Sequence, residues 1–330
     1  MKKKIDITIV IVNYKSWKHL SNCLDSILKI KQDEFLLEVI IVDNHSNDGV
    51  FNDFSSKYTS FKFIENTANN GFSNGCNLGA RNAQGDFILF LNPDTIVNKQ
   101  AILTLFQLAE NNPNYGIVSC NIINSKGGLN KIEKIFPSFS SLFGFTRVIY
   151  RIINYNQLKE KYDVSKEIVF PDWVTGAVVF MSKEWFQKIG GWNEDYWMYS
   201  EDVDICKKVS NNGGLVALTR NAEIIHHHGG AARINTKTVA LTKTEVIISN
   251  HVYINNHFTG FLKVLSLIIL VLVILTTNFL LAIIGTIFFY IPKLKVRLLI
   301  FTNIIKYYTK AIIKGTWMSE KAMNFKIRQI

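Results

Sequence analysis

Cysteine is scarce in this sequence, and no pair of cysteines is closely spaced. The 330 residues include four cysteines, which lie far apart and form no CxxC pair. This spacing argues against a disulfide framework and against a cysteine-based zinc site. Free thiols in a reducing compartment fit the pattern better.

The N-terminus lacks a signal-peptide cleavage motif. Met1 is followed by three lysines, and an apolar run then occupies residues 5–12. The run contains Asp6 and ends at Asn13, with no small-residue cleavage site after it. We therefore expect residues 5–12 to form a first buried strand rather than a secretory signal.

Acidic residues are nearly absent from the C-terminal part of the chain. Residues 255–330 hold ten lysines and arginines against Glu320 alone, so +9 of the formal net charge of +11 lies in this segment. The basicity is therefore a property of the tail and not of the main domain. No reader motif accompanies the charge, which argues against nucleic acid as a partner.

A long uncharged run lies within this tail. Residues 264–291 contain no charged side chain, and about 20 apolar residues span the hydrocarbon core of a bilayer. As one helix the run would be about 42 Å long, and Asn278 and Gly285 interrupt it. The pattern predicts a single span, or a hairpin or re-entrant pair; a buried helix of a soluble domain is the alternative.

The charges beside this run predict its orientation. Basic flanks stay on the cytoplasmic side of a membrane. The expectation is a protein of the cell (inner or plasma) membrane whose main domain faces the cytoplasm. Both flanks then lie on one side, which a hairpin satisfies and a single span does not.

The segment that follows predicts a basic amphipathic helix over residues 294–314. Apolar side chains recur there at helical spacing: Leu294, Leu298, Phe301, Ile305, Tyr308 and Ile312. The lysines lie largely on other faces, an arrangement suited to an anionic membrane surface. A calmodulin-type or partner-binding helix is the alternative.

The first 125 residues alternate short apolar runs with helical patterns. The runs predict strands at residues 5–12, 37–42, 61–64, 87–91 and 117–120, and helices at 16–29, 74–83 and 100–111. This alternation is typical of βαβ units, so we expect an α/β fold with a Rossmann-like, mostly parallel sheet.

The second part of the main domain is less regular. Residues 124–168 predict a loop-rich insertion near a ligand or the membrane, or else a variable surface excursion. Regular structure then resumes, with strands at 168–173, 177–181, near 215 and at 222–226, and helices at 183–189 and 201–211.

Polar residues follow three of the predicted strands. Asn13 ends the first, Asp43 ends the second, and Asn92 and Asp94 follow the fourth. Each aspartate could be a turn residue or a helix cap. Because ligands of open α/β sheets collect at the carboxyl ends of strands, three such ends point to one shared site.

A glycine- and asparagine-rich stretch covers residues 69–79 and leads into a helix. It contains Asn70, Gly71 and Asn77, and its glycines are spaced four apart. It matches neither GxGxxG nor GxxxxGK[ST], so dinucleotide and P-loop interpretations are weak. A helix start with bare N–H groups still suits a phosphate-bearing ligand.

Asp94 is the sharpest metal-ligand candidate, because a hard cation held by an oxygen ligand can neutralise phosphate charge. Glu201 and Asp202 follow Ser200 and could simply cap a helix. The same pair could supply a general base. His226 and His228 end the last strand, where a metal role and a solvated loop stay equally open.

Taken together, five segments resemble the family 2 glycosyltransferases of the GT-A fold. They are IVIVNYKSWKHLSNCLDSI, EVIIVDNHSNDG, NNGFSNGCNLGARNAQGDFILFLNPDT, DWVTGAVVFMSKEWFQKIGGWNEDYWMYSEDVDICKKV and HHHGG. The resemblance covers about residues 5–230 in the family's order. It is greatest to rhamnosyltransferase-like enzymes of bacterial surface polysaccharide synthesis.

The resemblance implies a role for each candidate residue. Donor-binding positions would be Asn13, Asp43, Asn70, Gly71, Asn77 and Asn92. Asp94 would hold Mn²⁺ or Mg²⁺ with His226, or with His228 as the fallback. Asp202 would be the catalytic base and Glu201 would orient it or the acceptor. The first acidic position of the family's DXD motif is Asn92 here, and Ala231 and Ala232 replace a common Ser or Thr.

The implied enzyme is an inverting glycosyltransferase. It would move a sugar, with rhamnose as one candidate, from a nucleotide diphosphate donor to a glycan or polyprenyl-pyrophosphate-linked acceptor. Residues 1–255 would form the catalytic domain, with a nucleotide-sugar half at 1–125 and an acceptor and catalytic half at 169–255. Residues 256–330 would be a tail attached to membrane lipid.

Two other functions fit the same α/β pattern. A catalytically inactive sugar-nucleotide-binding or assembly protein would keep the fold, but the intact Asp94 and Glu201–Asp202 pair argues against it. A nucleotidyltransferase or epimerase should show a basic phosphate-binding signature near the N-terminus or a GxGxxG turn, and neither is present.

Overall fold

A computed structural model describes residues 4–129, 134–163, 165–227 and 235–328; of Phe145 only the backbone is described. The chain divides into two compact units. The first comprises Met1–Asn69, Asn74–Asn193 and Glu201–His228, and the second comprises Asn70–Ser73, Glu194–Ser200 and Gly229–Ile330. The predicted boundary at residue 255 stays a prediction.

Within the described residues, nine strands form one sheet in the first unit. They are β1 (Ile7–Asn13), β2 (Leu37–Asp43), β3 (Lys62–Glu65), β4 (Phe87–Leu91), β5 (Thr95–Ile96), β6 (Tyr115–Asn124), β7 (Ile168–Val169), β8 (Val178–Ser182) and β9 (Leu215–His226). Their order is β3-β2-β1-β4-β8-β6-β9-β5, with β7 paired to β9. The α/β class is confirmed.

The sheet is mixed, which corrects the expectation of a mostly parallel one. β1, β2, β3 and β4 are mutually parallel, as the βαβ pattern predicted. β8 then enters antiparallel between β4 and β6. Sequence periodicity does not record this reversal, because a buried strand is apolar whichever way it runs.

Nine helices lie within the described residues up to 227. They are α1 (Trp17–Leu28), α2 (Phe51–Lys57), α3 (Phe72–Arg81), α4 (Lys99–Asn111), α5 (Phe139–Leu142), α6 (Gly144–Ile153), α7 (Tyr155–Lys161), α8 (Lys183–Lys188) and α9 (Glu201–Asn211). The insertion expected to be loop-rich therefore carries three helices, α5 to α7. α2 was also missed.

The core explains why these elements form. All seven residues of β1 are buried, since the sheet is covered on both faces. α1 places Leu20, Leu24 and Ile27 against the sheet at helical spacing. Each such side chain contributes roughly 1.5–3 kcal/mol through burial. Leu28, the last residue of α1, is 52% exposed.

The second unit contains four helices among its described residues: α10 (Thr236–His257), α11 (Gly260–Ile287), α12 (Pro292–Lys314) and α13 (Met323–Ile327). α11 is long and apolar enough to cross a membrane by length and composition. It is continuous through Asn278, whose amide donates to the carbonyl of Ile274. Neither Asn278 nor Gly285 interrupts α11, which ends at Ile287, inside the uncharged run.

α11 and α12 approach closely near the chain reversal between them. A Cβ added at Gly285 would lie 2.5 Å from the carbonyl oxygen of Leu294. The packed face of α12 is offset from the predicted apolar stripe. Val296, Ile300 and Ile304 are buried, whereas Ile312 of the predicted stripe is 80% exposed.

Candidate active site

Asn13 and Asp43 meet at the carboxyl ends of β1 and β2. Asn13 Nδ2 donates to Asp43 Oδ1 at 2.9 Å. Ser46 donates its hydroxyl to the same oxygen and its backbone N–H to Oδ2. Both Asn13 and Asp43 are fully buried. The pair therefore fixes the loop after β2, while its predicted donor contact stays a prediction.

Asn77 joins two distant parts of the first unit. Its Nδ2 donates to the carbonyl of Trp192 at 2.9 Å, and its Oδ1 accepts from the Trp192 N–H at 3.0 Å. These bonds tie α3 to the segment that precedes the acidic motif. Sequence reasoning named Asn77 as a donor-binding residue and did not foresee this contact.

Asp94 and His226 form an ion-pair-like contact at the end of the sheet. β5 pairs antiparallel with the end of β9, placing Thr95 opposite His226. Asp94 Oδ1 then lies 2.9 Å from His226 Nε2, and Asn92 Nδ2 lies 3.4 Å from the same nitrogen. The structure thus brings together three predicted residues. His228, the fallback, lies outside the described residues.

Asp202 and Glu201 occupy the first turn of α9. Asp202 Oδ2 accepts a hydrogen bond from the Gly176 N–H at 3.1 Å, and Oδ1 accepts from the Val203 N–H at 2.9 Å. Glu201 is 9% exposed, and its Oε2 has no hydrogen-bond partner among the described residues. The two carboxyl groups are therefore held differently.

Capping by Ser200 does not explain this acidic pair. Ser200 has a φ of +62° and the preceding Tyr199 a φ of +74°, whereas an N-cap residue normally has an extended backbone. Two successive left-handed residues without glycine are costly and persist where the surroundings impose them. The chain thus enters α9 through a strained turn.

Both acidic side chains have raised pKa values. Burial raises the pKa of Glu201 to about 8, and the negative charge of Asp202 adds to the shift. Burial also raises the pKa of Asp202, while the charge of Lys134 opposes it. A neutral carboxyl beside a more easily ionised one is an arrangement suited to acid–base chemistry.

Lys134 and Trp173 were not predicted as site residues. Lys134 Nζ lies 4.1 Å from the centroid of the Trp173 ring, and burial lowers the pKa of Lys134. Trp173 belongs to the DWVTG run that carried the family resemblance, which was a usable signal. Lys134 lies in the irregular insertion, where no periodicity singled it out.

The loop before β8 connects the two acidic motifs. Gly176 N–H binds Asp202, and the carbonyl of the next residue, Ala177, accepts from the Asn92 N–H at 3.0 Å. The Asn92–Asp94 motif and Asp202 are therefore anchored to consecutive residues. This places the candidate metal ligand and the candidate base at the same edge of the sheet.

Asn70 and Gly71 lie in the second unit. Asn70 Oδ1 accepts from Lys326 Nζ at 2.7 Å. Gly71 has a φ of +96°, and a Cβ there would lie 2.4 Å from the carbonyl oxygen of Trp197. Only glycine permits this approach, and Phe72 N–H donates to the same carbonyl. Their predicted donor contacts stay predictions.

The loop Glu194–Ser200 is held within the second unit by α10 and by the residues around α13. Asp195 accepts from the side-chain amides of Asn256 and Asn324, at 3.0 and 2.9 Å. Ser249 Oγ donates to the carbonyl of Met198 at 2.7 Å. Lys321 Nζ lies 4.4 Å from the centroid of the Trp197 ring.

The fold and these motifs define a glycosyltransferase with a GT-A-like mixed α/β sheet. The family model described as Glycosyl transferase family 2 matches residues 8–183. A second model, described as N-terminal domain of galactosyltransferase, matches residues 158–228. The chain belongs to glycosyl transferase family 2.

Similar proteins act in glycan synthesis according to their names. The chain is 27% identical over 226 residues to the low-salt glycan biosynthesis hexosyltransferase Agl10 of Haloferax volcanii, covering 67% of each chain. It is 25% identical to the N-acetylglucosaminyl-diphospho-decaprenol L-rhamnosyltransferase of Mycobacterium tuberculosis, covering 67% of this chain and 76% of that one. Rhamnosyltransferase WbbL of Escherichia coli is 23% identical, with 67% and 84% covered.

A solved structure supports the fold. The structure of GalNAc-T7 with UDP, GalNAc and Mn²⁺ aligns with a TM-score of 0.54 and 16% identity, covering 74% of this chain. This chain spans about half of that one, 48%. At this identity the likeness supports the GT-A-like fold and nothing finer.

Proposed function

We propose that the protein transfers a sugar, with inversion, from a nucleotide diphosphate donor to a hydroxyl of a lipid-linked or glycan acceptor in cell-surface polysaccharide synthesis. The observation that carries this proposal is the anchoring of Asn92 and Asp202 to the consecutive residues Ala177 and Gly176. It puts a candidate phosphate-side motif and a candidate base at one edge of the sheet.

Asp202 acts as the general base in this proposal. Its pKa is raised by burial, which brings its basicity closer to neutral pH. The Gly176 and Val203 N–H groups fix the orientation of the carboxylate. Asp202 takes the proton from the acceptor hydroxyl, and the oxygen attacks the anomeric carbon opposite the diphosphate. No covalent enzyme intermediate is needed.

Glu201 stays largely protonated at neutral pH because its pKa is about 8. A neutral carboxyl can donate a hydrogen bond where a second carboxylate would repel Asp202. We assign Glu201 the role of keeping Asp202 and the acceptor in register. Asn13 and Asp43 are both fully buried. In this proposal they hold the loop after β2 in shape for the donor.

The residues present fit a divalent cation whose coordination is completed partly by the protein and partly by the substrate. Within residues 4–129, 134–163, 165–227 and 235–328, no group of three or more His, Cys, Asp and Glu side chains is assembled for a metal. Asp94 and His226 offer one oxygen and one nitrogen, 2.9 Å apart. Mg²⁺ and Mn²⁺ are commonly bound by one or two protein ligands plus phosphates and water.

Asp94 and His226 would therefore hold Mn²⁺ or Mg²⁺, which when bound would neutralise the charge of the departing diphosphate. Asn92 donates toward the same site and supplies no charge. The first position of the DXD motif, Asn92, would therefore assist by hydrogen bonding and leave Asp94 as the charged ligand.

The tail is proposed to attach the enzyme to the cytoplasmic face of the cell membrane. α11 exposes Leu272, Leu280 and Ile287, which are 57%, 63% and 63% accessible. Such a face is costly in water and stable in hydrocarbon. We propose residues 1–255 as the catalytic domain and residues 256–330 as the membrane-attached tail.

A donor panel tests the reaction. Full-length protein in detergent is mixed with nucleotide diphosphate sugars, including the rhamnose donor, and a lipid-linked acceptor. The expected result is release of one nucleotide diphosphate for each sugar transferred, with the opposite anomeric configuration in the product. Retention of configuration would refute the single-displacement mechanism, and no transfer from any donor would refute the function.

A further inference from the structure

The insertion between β6 and β7 forms a cationic cavity that the mechanism does not use. The cavity has a volume of 170 Å³, and Lys134, Arg147, Arg151 and Trp173 are among the residues that line it. No carboxylate lines it among the described residues. Three cations around a small space with no acidic residue are a site for an anion bearing more than one charge.

Two of the three cations are held in place by their neighbours. Arg147 Nε and Nη2 donate to the carbonyls of Ser141 and Leu142, at 2.8 and 3.1 Å. A guanidinium has five N–H donors, so further donors remain for a ligand. Trp173, which stacks against Lys134, is itself fixed by an Nε1 hydrogen bond to the carbonyl of Ile135.

The acidic side chain beside Trp173 in the sequence is already engaged. Asp172 pairs with Lys161 and accepts from the Phe136 N–H. It therefore holds the insertion together and does not neutralise the three lining cations.

One face of α6 beside the cavity is apolar and exposed. Arg147 and Arg151 are four residues apart and so share one face of the helix. The adjacent positions and the start of α7 carry apolar side chains that are 40–76% exposed: Val148, Ile149, Ile152, Ile153 and Tyr155. Cations next to an exposed apolar surface match a molecule with an anionic head and a hydrocarbon chain.

The cavity lies beside the candidate base. The positive charge of Lys134 acts to lower the pKa of the Asp202 carboxyl, so the two groups lie near each other. Trp173 is three residues from Gly176, whose N–H binds Asp202. A diphosphate in the cavity would thus leave its attached sugar within reach of Asp202.

We propose that this cavity binds the diphosphate of a lipid-linked acceptor and that the exposed face of α6 takes the start of its hydrocarbon chain. The inference rests on the proposed transferase function and adds its acceptor site. Arg147, Arg151 and Lys134 contact the phosphate oxygens, while Val148 and Ile152 contact the lipid.

Binding of farnesyl diphosphate, inorganic pyrophosphate and farnesol to the full-length protein tests the proposal. Binding is measured by calorimetry in a fixed detergent. EDTA is added to suppress metal-assisted binding of phosphates at the donor site. Wild type should bind farnesyl diphosphate more tightly than pyrophosphate, and farnesol weakly. Equal affinity for farnesyl diphosphate and farnesol would overturn the role of the cations.

Substitutions locate the site. Arg151→Glu should weaken farnesyl diphosphate binding by about ten-fold or more, because a charge-assisted contact becomes repulsive. Arg151→Gln should give a smaller loss. Lys18→Glu, a matched control, makes the same charge change at an exposed site of α1 that does not line the cavity. Ile152→Ser should weaken farnesyl diphosphate and leave pyrophosphate unchanged.

Three outcomes would contradict the site. Unchanged farnesyl diphosphate binding in Arg151→Glu would refute the site, and an equal loss in Lys18→Glu would show that only the overall charge of the protein matters. If Arg151→Glu lost binding to phosphatidylglycerol vesicles but still bound farnesyl diphosphate, the surface would be assigned to a bilayer instead. A failure here leaves the transferase proposal standing, because Asp202→Asn and donor turnover test that separately.

Discussion

Asp202 accepts a hydrogen bond from the backbone N–H of Gly176 at 3.1 Å. The backbone carbonyl of the following residue, Ala177, accepts from the Asn92 N–H at 3.0 Å. Two acidic motifs separated by more than a hundred residues of sequence are thus set by one short loop. Displacement of this loop should disturb both the phosphate side and the acceptor side of the reaction.

Asp202→Asn should nearly abolish transfer while donor binding stays close to wild type. The substitution keeps the shape but removes the basic oxygen, and general-base catalysis contributes about 10²–10⁴-fold. Single-turnover sugar transfer and calorimetric donor binding measure the two effects. Glu184→Gln, in the first turn of α8, is the control and should behave as wild type. A wild-type rate in Asp202→Asn would remove the base assignment.

Glu201 should make the protein less stable as the pH rises. Its folded pKa of about 8 lies above the ordinary value of 4.5, so the folded state holds a proton that the unfolded state has released. Stability should therefore fall between about pH 4.5 and 8, by up to about 1.4 kcal/mol per pH unit. Thermal unfolding from pH 5 to 8 measures this slope.

Glu201→Gln should flatten that pH dependence, because an amide cannot ionise. The variant should gain stability relative to wild type at pH 8 and little at pH 5. An unchanged slope in Glu201→Gln would show that another group causes it.

Asp94→Asn and His226→Ala should weaken Mn²⁺ binding and lower turnover, since the pair supplies the protein's proposed ligands. EDTA should stop nucleotide diphosphate release, and added Mn²⁺ or Mg²⁺ should restore it. Calorimetry with Mn²⁺ and nucleotide diphosphate gives a readout independent of turnover. Asp53→Asn, on the exposed part of α2, is the control. Full activity in EDTA would refute metal dependence.

Asn324→Asp should reduce turnover and destabilise the loop before α9, because two carboxylates would then face each other at Asp195. Loss of this charge-assisted hydrogen bond is expected to cost about 1.5–3 kcal/mol. The double variant Asp195→Asn with Asn324→Asp restores the bond in reverse, and the amide oxygen introduced at position 195 can still accept from Asn256.

Recovery of kcat in that double variant is the expected result. Turnover that stays low although thermal stability recovers would argue that Asp195 itself is needed. An unaffected Asn324→Asp single variant would show that the loop does not depend on this contact.

Leu272→Lys with Leu280→Lys should release the protein from membranes. Both leucines are exposed on α11, and a charge near the centre of a span costs about 2.5–3.5 kcal/mol. Flotation with liposomes measures the effect. Deleting residues 260–330 is a weaker test, since it also removes Lys321, Asn324 and Lys326 from the loops they contact. Flotation equal to wild type would contradict the anchor.

The sequence predicted the sheet better than the helices. β1 and β4 are apolar runs flanked by polar residues, and that signal survives in any buried strand. α10 was missed, because apolar and polar residues alternate around it without a single stripe. α6 was expected as loop because the whole insertion at residues 124–168 was treated as irregular, although its apolar side chains recur there at helical spacing.

The candidate site was predicted in part. Asp94, His226 and Asn92 come together as the motif order suggested. Asn77 illustrates what sequence cannot show, since its amide binds a backbone 115 residues away. Asp43 likewise uses both oxygens internally. Residue type identified these side chains as site candidates, but their hydrogen-bond partners depend on packing between distant parts of the chain.

All four cysteines are buried, and burial raises the pKa of the Cys23 thiol to about 12. Native thiols should therefore react slowly with maleimides. A single cysteine introduced along α11 would report its accessibility from either side of a membrane against a silent background. The chain thus allows its topology to be mapped without first replacing any of its own residues.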